Sequence, residues 1–325
     1  MSELGTTGAT GSTDSLPQDS WGFGPAEVTL KRRLALAWEP WRRRPLGAIG
    51  AVIIVMSFML ALLAPFLAPH DPREFVGGRL ESPSGEFWFG TNLLGQDVLS
   101  RMIYGAQVSI AVALSSTVIG VGLGTFLGVL SAYYGGWIDL IIQRILEVLA
   151  SFPGIILILM IVLALGRPSG VEEGNFITLS WGLRTLSLAI ALNLVFGVMR
   201  VIRSATLKER ELVYVEAART IGASSTRIMF RHILPNVFPY VIVTFSSLIG
   251  FIILVEAGIS FLGYGVSIGT PSWGFDLSGR NRDFFFEAPW MMAAPGIALI
   301  LTVMGFNFLG DTLRDILDPR LRGSR

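Results

Sequence analysis

Cysteine is absent from the chain, and its 325 residues include only two histidines, His70 and His232. Without thiols there is no disulfide framework and no thiolate metal or redox centre, and two isolated histidines make no metal site. Lysine is equally scarce. A phosphate-binding loop requires G-x-x-x-x-G-K-[ST], yet Lys31 follows Leu30 and Lys208 follows Leu207, so the chain has no such loop. No nucleophilic triad or paired-carboxylate site stands out, and no catalytic residue is assigned. Any energy the protein uses must come from a partner or an ion gradient. Charge is also sparse: charged residues are 15% and apolar residues 52% of the chain, with mean hydropathy +0.61, whereas soluble domains carry about 25% charged residues. The chain reads as an all-α polytopic membrane protein. Its net charge of +1 is uninformative as a total, though the distribution of the charges is not, and no nucleic-acid partner is expected.

Residues 1–30 are rich in Ser, Thr and Gly, contain no apolar run, and read as a disordered cytoplasmic tail rather than a signal peptide. A basic segment, 31–45, holds Lys31, Arg32, Arg33, Arg42, Arg43 and Arg44. Residues 46–325 form the transmembrane domain. Leu46–Leu67 is long enough to cross a hydrocarbon core of about 30 Å at about 1.5 Å per residue. Further uncharged runs place spans at Val108–Ala132, Val148–Leu165, Val237–Val255 and Pro289–Gly310. A shorter run, Thr185–Met199, is either short and tilted or begins further back near Trp181, and completes six.

Charge distribution orients these spans. With both termini inside, most of the 25 basic residues fall in the N-terminal region, the Arg144 loop, the 202–235 insert and the C-terminal tail. The positive-inside bias therefore supports six spans, N-in and C-in. Between spans one and two, Leu94, Val98 and Met102 recur with Leu99 and Ile103 beside them, and Asp97 and Arg101 form an i, i+4 pair. This pattern predicts an amphipathic helix on the outer face.

Within the spans, Gly120, Gly124 and Gly128 repeat every fourth residue, spacing that lets helix backbones approach closely. Pro153 marks a kink or a helix start. Glu256, near the outer end of span five, is either a hydrated structural acid or a pathway residue that contacts substrate or an ion. Asn193 and Asn307 are candidates for interhelical hydrogen bonds, Asn193 also for the pathway. The outer loop with Trp273, Phe284, Phe285 and Phe286 suits an interfacial aromatic belt or a docked extracellular protein.

The most telling segment is the charged insert 202–235, which holds Arg203, Lys208, Arg210, Arg219, Arg227 and Arg231 and must lie in water. Leu207–Ile221 reads as one helix ending at Gly222, a residue tolerant of positive φ. Ser224 or Ser225 caps a second helix to Leu234, with Met229/Ile233 and Phe230/Leu234 as i, i+4 pairs, Arg227 and Arg231 as a basic edge, and Pro235 at its end. An apolar knob with a charged rim suits a soluble partner or lipid headgroups. The acidic residues Glu209, Glu211 and Glu216 favour the soluble partner.

The pattern Glu216-Ala217-Ala218, then Gly222, then Ile233-Leu234-Pro235 resembles the coupling loop of permeases in ATP-binding-cassette importers. Phe89–Arg101, Ser151–Pro153, Glu256–Gly263 and Asn307–Arg320 are similar to the dipeptide, oligopeptide and nickel branch, and within it to the second, C-type permease. The resemblance covers roughly Arg42 to Arg322. It implies a type I importer permease fold and half of a peptide pathway, with ATPase coupling through Glu216, Ala217, Ala218, Gly222, Arg227, Met229, Phe230, Arg231, Ile233, Leu234 and Pro235. It further implies a second permease, two cytoplasmic ATP-binding subunits that hold ATP and Mg, an extracellular solute-binding protein, and a prokaryotic plasma membrane. Asn92, Gln96 and Gln107 stand where the branch more often has charged residues, and the 166–181 segment is longer than usual. Two other readings are an ion-coupled secondary transporter and a non-transporting scaffold that recruits a soluble protein.

Overall fold

A computed structural model describes residues 44–165, 181–266 and 269–317. The proposed tail, the basic segment up to Arg43, and residues 166–180 lie outside them. Helix α1 (Pro45–Leu62) starts on a proline, whose missing N–H costs nothing in a first turn, and a one-residue break at Leu63 separates it from α2 (Ala64–Leu67). The first span is therefore shorter than Leu46–Leu67.

Helix α3 (Val98–Tyr134) begins earlier than the sequence pattern suggests. The amphipathic segment expected on the outer face is its first turns, and Val98 and Ile103 are buried. The cause is a cap and a distant charge. Asp97 accepts from the backbone N–H of Ser100 at 2.9 Å, and Arg101 donates to Asp276 through Nε at 3.0 Å and Nη2 at 2.6 Å instead of pairing with Asp97. Gln96 accepts from Arg101 and donates to the Arg73 carbonyl, while Gln107 donates to the Ala61 carbonyl, so these neutral residues tie down the outer segment.

Gly135, at φ +65°, ends α3 and turns the chain into α4 (Gly136–Ala150), which meets α5 (Gly154–Ala164) at 90°. Pro153 sits immediately before α5. The third span is thus a bent pair rather than a straight helix from Val148. Helix α6 (Trp181–Arg210) contains the short Thr185–Met199 run as its interior. Then come α7 (Val213–Thr220), α8 (Ser225–Arg227), a π-helical segment (Ile228–Ile233), α9 (Leu234–Phe261), two short outer helices α10 (Trp273–Asp276) and α11 (Gly279–Arg282), and α12 (Trp290–Leu317). Five helices are long and apolar enough to cross a membrane, six with the bent pair. Arg44 before α1 forms an ion pair with Asp315 near the end of α12, which puts both ends of the described chain on one side and requires an even number of crossings.

Close backbone approach holds the bundle. A Cβ on Gly120 would lie 2.9 Å from Leu194 Cβ, one on Gly124 2.7 Å from Val198 Cβ, and one on Gly128 3.0 Å from the Met199 carbonyl. The four-residue glycine stripe is therefore the α3–α6 seam, the more extensive of the helix contacts α3 makes. Gly50 and Gly305 do the same for α1 and α12, where Ser57 and Thr302 also share a buried 3.0 Å hydrogen bond. Among the described residues there is no strand, only an isolated bridge between Thr91 and Asp97.

Candidate functional site

The 202–235 insert folds onto the cytoplasmic ends of α3, α6 and α9. Leu207–Arg210 belong to α6, not to a helix running to Ile221; the chain breaks at Glu211–Leu212 before α7. Helix α7 ends at Gly222, φ +80°, where the Ala223 N–H donates to the Ala218 carbonyl at 3.0 Å and the Gly222 N–H to the Arg219 carbonyl at 2.9 Å. This paired arrangement satisfies carbonyls left over at a helix end and requires a left-handed residue. Ser224 Oγ accepts from the Arg227 N–H and starts α8.

Pro235 does not end that second helix. The chain runs from Ser225 to Phe261 as one helical rod of 37 residues. A proline inside a helix removes a hydrogen bond and its ring clashes with the preceding turn. Here the Leu234 N–H reaches back to Met229 rather than Phe230, so the π-widened turn makes room for the ring. The Asn236 side chain donates to the His232 carbonyl at 2.6 Å.

Charged side chains fix the insert to the bundle. Arg203 on α6 holds Asp139 on α4 through Nε at 2.8 Å and Nη2 at 2.6 Å, and Ser131 on α3 also donates to Asp139. Arg210 donates to the carbonyls of Ala132 at 2.7 Å and Tyr133 at 3.0 Å, capping the C-terminus of α3 where a cation is favoured. The Tyr214 hydroxyl donates to Glu209 at 2.7 Å and accepts from Asn236 at 3.1 Å. Burial, then the Glu209 carboxylate, pushes the Tyr214 phenol up to about 12, so it remains a donor at any physiological pH.

The proposed coupling residues divide by face. Ala218, Met229 and Ile233 are buried, with Val215 and Ile228, against Val198, Ile202 and Ala205 of α6. They form the packed face of the insert, beneath its exposed surface. Glu216, Ala217, Gly222, Arg227, Arg231 and Pro235 are exposed, Leu234 is half-buried, and Phe230 turns towards α3. The sequence reading missed Val213 and Ile221, the most exposed apolar residues of the insert at 79% and 84%. With Ala217 they form an i, i+4, i+8 row on the outer face of α7, beside Glu216 and Thr220. That spacing was visible in the sequence once α7 was cut to its true length.

Asn193 of α6, half-buried, lines a cavity of about 500 Å³ beneath the α4–α5 elbow, with Phe152, Gly154, Thr244 and Leu248. A second cleft of about 830 Å³ shares Val201, Thr244 and Leu248 with it and opens at the cytoplasmic end past Tyr240, Lys208 and Arg314. The two are neighbours, separated by these shared side chains of α6 and α9. Glu256 is elsewhere. Its side chain is fully buried and accepts hydrogen bonds from Ser109 and Ser260 at 2.8 Å and Ser272 at 3.0 Å, so the expected hydration is absent. Trp273 is also core rather than belt: it is 2% exposed and donates from Nε1 to the Met102 carbonyl at 2.9 Å. Among the described residues, no group of His, Asp or Glu is arranged to hold a metal.

A glycine-seamed bundle of membrane-spanning helices, with clefts along α9 and a charged insert packed against the ends of the spans, has the architecture of a multi-pass membrane subunit. Comparison with known proteins specifies the kind. Residues 120–323 match the family described as binding-protein-dependent transport system inner membrane component, and residues 33–83 match the N-terminal TM domain of oligopeptide transport permease C. The glutathione transport system permease protein GsiD of Pectobacterium atrosepticum is 36% identical over 287 residues, 88% of this chain and 90% of that protein. Its counterparts in Escherichia coli O6:K15:H31 and Shigella boydii serotype 4 are 36% identical over 288 residues, with the same shares covered. The chain belongs to the binding-protein-dependent transport family as an oligopeptide-type permease: a multi-pass bacterial inner-membrane subunit of an ATP-driven importer, not itself an ATPase.

Proposed function

We propose that this chain forms half of the translocation pathway for small peptides, glutathione among them, and pairs with a second permease that supplies the other half. Two cytoplasmic ATP-binding subunits, which carry the ATP and Mg, dock on the insert, and a solute-binding protein delivers substrate from outside. The groove past Asn193 and Thr244 is this chain's share of the pathway. Glu256 has no part in it and serves instead to hold Ser272 and the outer loop against α3 and α9.

The observation that carries this reading is the outer face of α7. Val213, Ala217 and Ile221 expose apolar surface beside Glu216, on an element whose other face packs on the π-helical segment within a buried cluster that includes α6 residues. Apolar residues so placed mark a protein contact, and their rigid backing turns displacement of the contact into displacement of the spans. Ion coupling has less support, because it requires ionisable groups facing a mid-membrane cavity, whereas Glu256 is enclosed by serines.

The test compares the purified chain with the four-component complex in proteoliposomes. The chain alone should hydrolyse no ATP. The complex should hydrolyse it faster with loaded binding protein and accumulate labelled glutathione or dipeptide. Glu216→Lys should weaken ATPase co-purification and uptake, because a reversed charge faces its partner cation. Uptake by the chain without ATPases, driven by an ion gradient, refutes the proposal.

A further inference from the structure

Phe230 is the coupling-set residue whose position fits a soluble partner least. It lines an apolar groove of about 180 Å³ between α3 and the start of α9, opposite Gly122, Phe126 and Leu130. At about 1.5 Å per residue, Leu130 and Gly122 lie about 6 and 18 Å above the end of α3 at Tyr134. The groove's lining thus extends over about 12 Å of α3, comparable with the half-thickness of an approximately 30 Å core. Phe126 and Phe230 are 53% and 54% exposed, and a Cβ on Gly122 would meet nothing within 4 Å, so the groove is open on its outer side.

The chain on either side of Phe230 is basic. Arg227 precedes Phe230 by one turn on the same side of the rod, and Arg231 lies beside Phe230. Both are exposed, and among the described residues neither takes part in an ion pair. An apolar slot of this length, with two exposed guanidinium groups beside its Phe230 end, is complementary to an anionic amphiphile. Arginine suits the phosphate because its planar fork donates two parallel hydrogen bonds.

We propose that an anionic phospholipid of the inner leaflet binds here, with an acyl chain along Phe126 and Phe230 and its phosphate held by Arg227 and Arg231. The lipid thereby becomes part of the coupling element, since Met229 and Ile233 of the same turns are packed into the bundle under α7. The binding itself does not depend on which substrate is carried.

The test uses the assembled complex in nanodiscs of phosphatidylcholine, alone or mixed with phosphatidylglycerol bearing a photoreactive acyl chain. Wild type should cross-link phosphatidylglycerol to peptides from α3 and the π-segment. Gly122→Leu, which places its side chain in open groove, should abolish the cross-link while the melting temperature is unchanged. Arg227→Gln and Arg231→Gln should each reduce the preference for phosphatidylglycerol over phosphatidylcholine about fivefold, the contribution of one basic residue near an anionic surface. The proposal fails if Gly122→Leu retains the cross-link, if the arginine variants keep the preference, or if Phe230 cross-links to the second permease, which would mean that a protein covers the groove.

Discussion

Replacing Gly222 separates conformation from contact at the coupling turn. Its φ of +80° lies in the left-handed region, and no heavy atom lies within 4 Å of where a Cβ would stand. A side chain therefore meets no obstacle, and the whole penalty is the backbone's. That penalty is about 1–2 kcal/mol for most L-residues and less for asparagine, whose short polar side chain bonds locally. One to two kcal/mol is roughly a factor of 5–30 in the local equilibrium between turned and unturned α7. It is small against the stability of a six-span bundle. Gly222→Ala and Gly222→Leu should therefore insert and accumulate normally. They should nevertheless lower the number of substrate molecules imported per ATP hydrolysed, because the bonds from Ala223 to Ala218 and Gly222 to Arg219 that set the outward face of α7 form less often. Gly222→Asn should recover most of the loss. Membrane abundance, ATPase co-purification and the uptake-to-hydrolysis ratio are measured together for the three variants. If asparagine is as damaging as alanine, φ is not the reason for glycine; if all three import normally, the turn does not set coupling.

The α3–α6 seam predicts that Gly124→Leu lowers the thermal stability of the detergent-purified protein, since its Cβ would lie 2.7 Å from Val198 and overpacking costs about 1–3 kcal/mol or more. Gly197→Leu, with nothing within 4 Å, should leave the melting temperature unchanged. Arg203→Ala should destabilise the cytoplasmic end by about 1–2 kcal/mol after allowance for its partial exposure, and Asp139→Arg combined with Arg203→Asp should restore part of that; a double variant no better than either single change removes the ion pair from the account. Because the chain has no cysteine, single cysteines report topology without background: Ser278→Cys should label from outside and Ser204→Cys only after permeabilisation. External labelling at position 204 contradicts the six-span arrangement.

Hydropathy and glycine spacing made the spans and their seam readable in advance, because both depend on local composition. What escaped was decided over distance. Asp97 and Arg101 have the spacing of a helical ion pair, yet Asp97 is consumed as a cap and Arg101 is drawn to Asp276, 175 positions along the chain. Pro235 has the local character of a stop, and only the π-turn, an adjustment of backbone bonding with no sequence signature of its own, carries the helix past it. Glu256 in a span suggested function, but three serines, two of them on other elements, account for its polar atoms. The proposed coupling residues fall within one segment that the sequence delimits by its charge. Their division into inward and outward faces needed the break at Glu211–Leu212, which resets the helical phase of α7.

The unbroken rod from Ser225 to Phe261 has a mechanical consequence. Its 37 residues span about 55 Å at 1.5 Å per residue, so a pivot of about 5° at one end sweeps the other through about 5 Å. Near the far end, Glu256 grips Ser272, so the outer loop rides on the tip of this lever while the inner turns bear on α7. Leverage works in both directions: under the proposed function, force applied outside by a delivery protein would reach the cytoplasmic face through the same shaft, and closure of the nucleotide-binding partners inside would loosen or tighten the outer grip. Thermodynamic reciprocity then requires that whatever strengthens attachment at one end by a given factor strengthens it at the other by the same factor. A single helix, kept whole by one widened turn, thus gives the two faces of the membrane a common measure of tension.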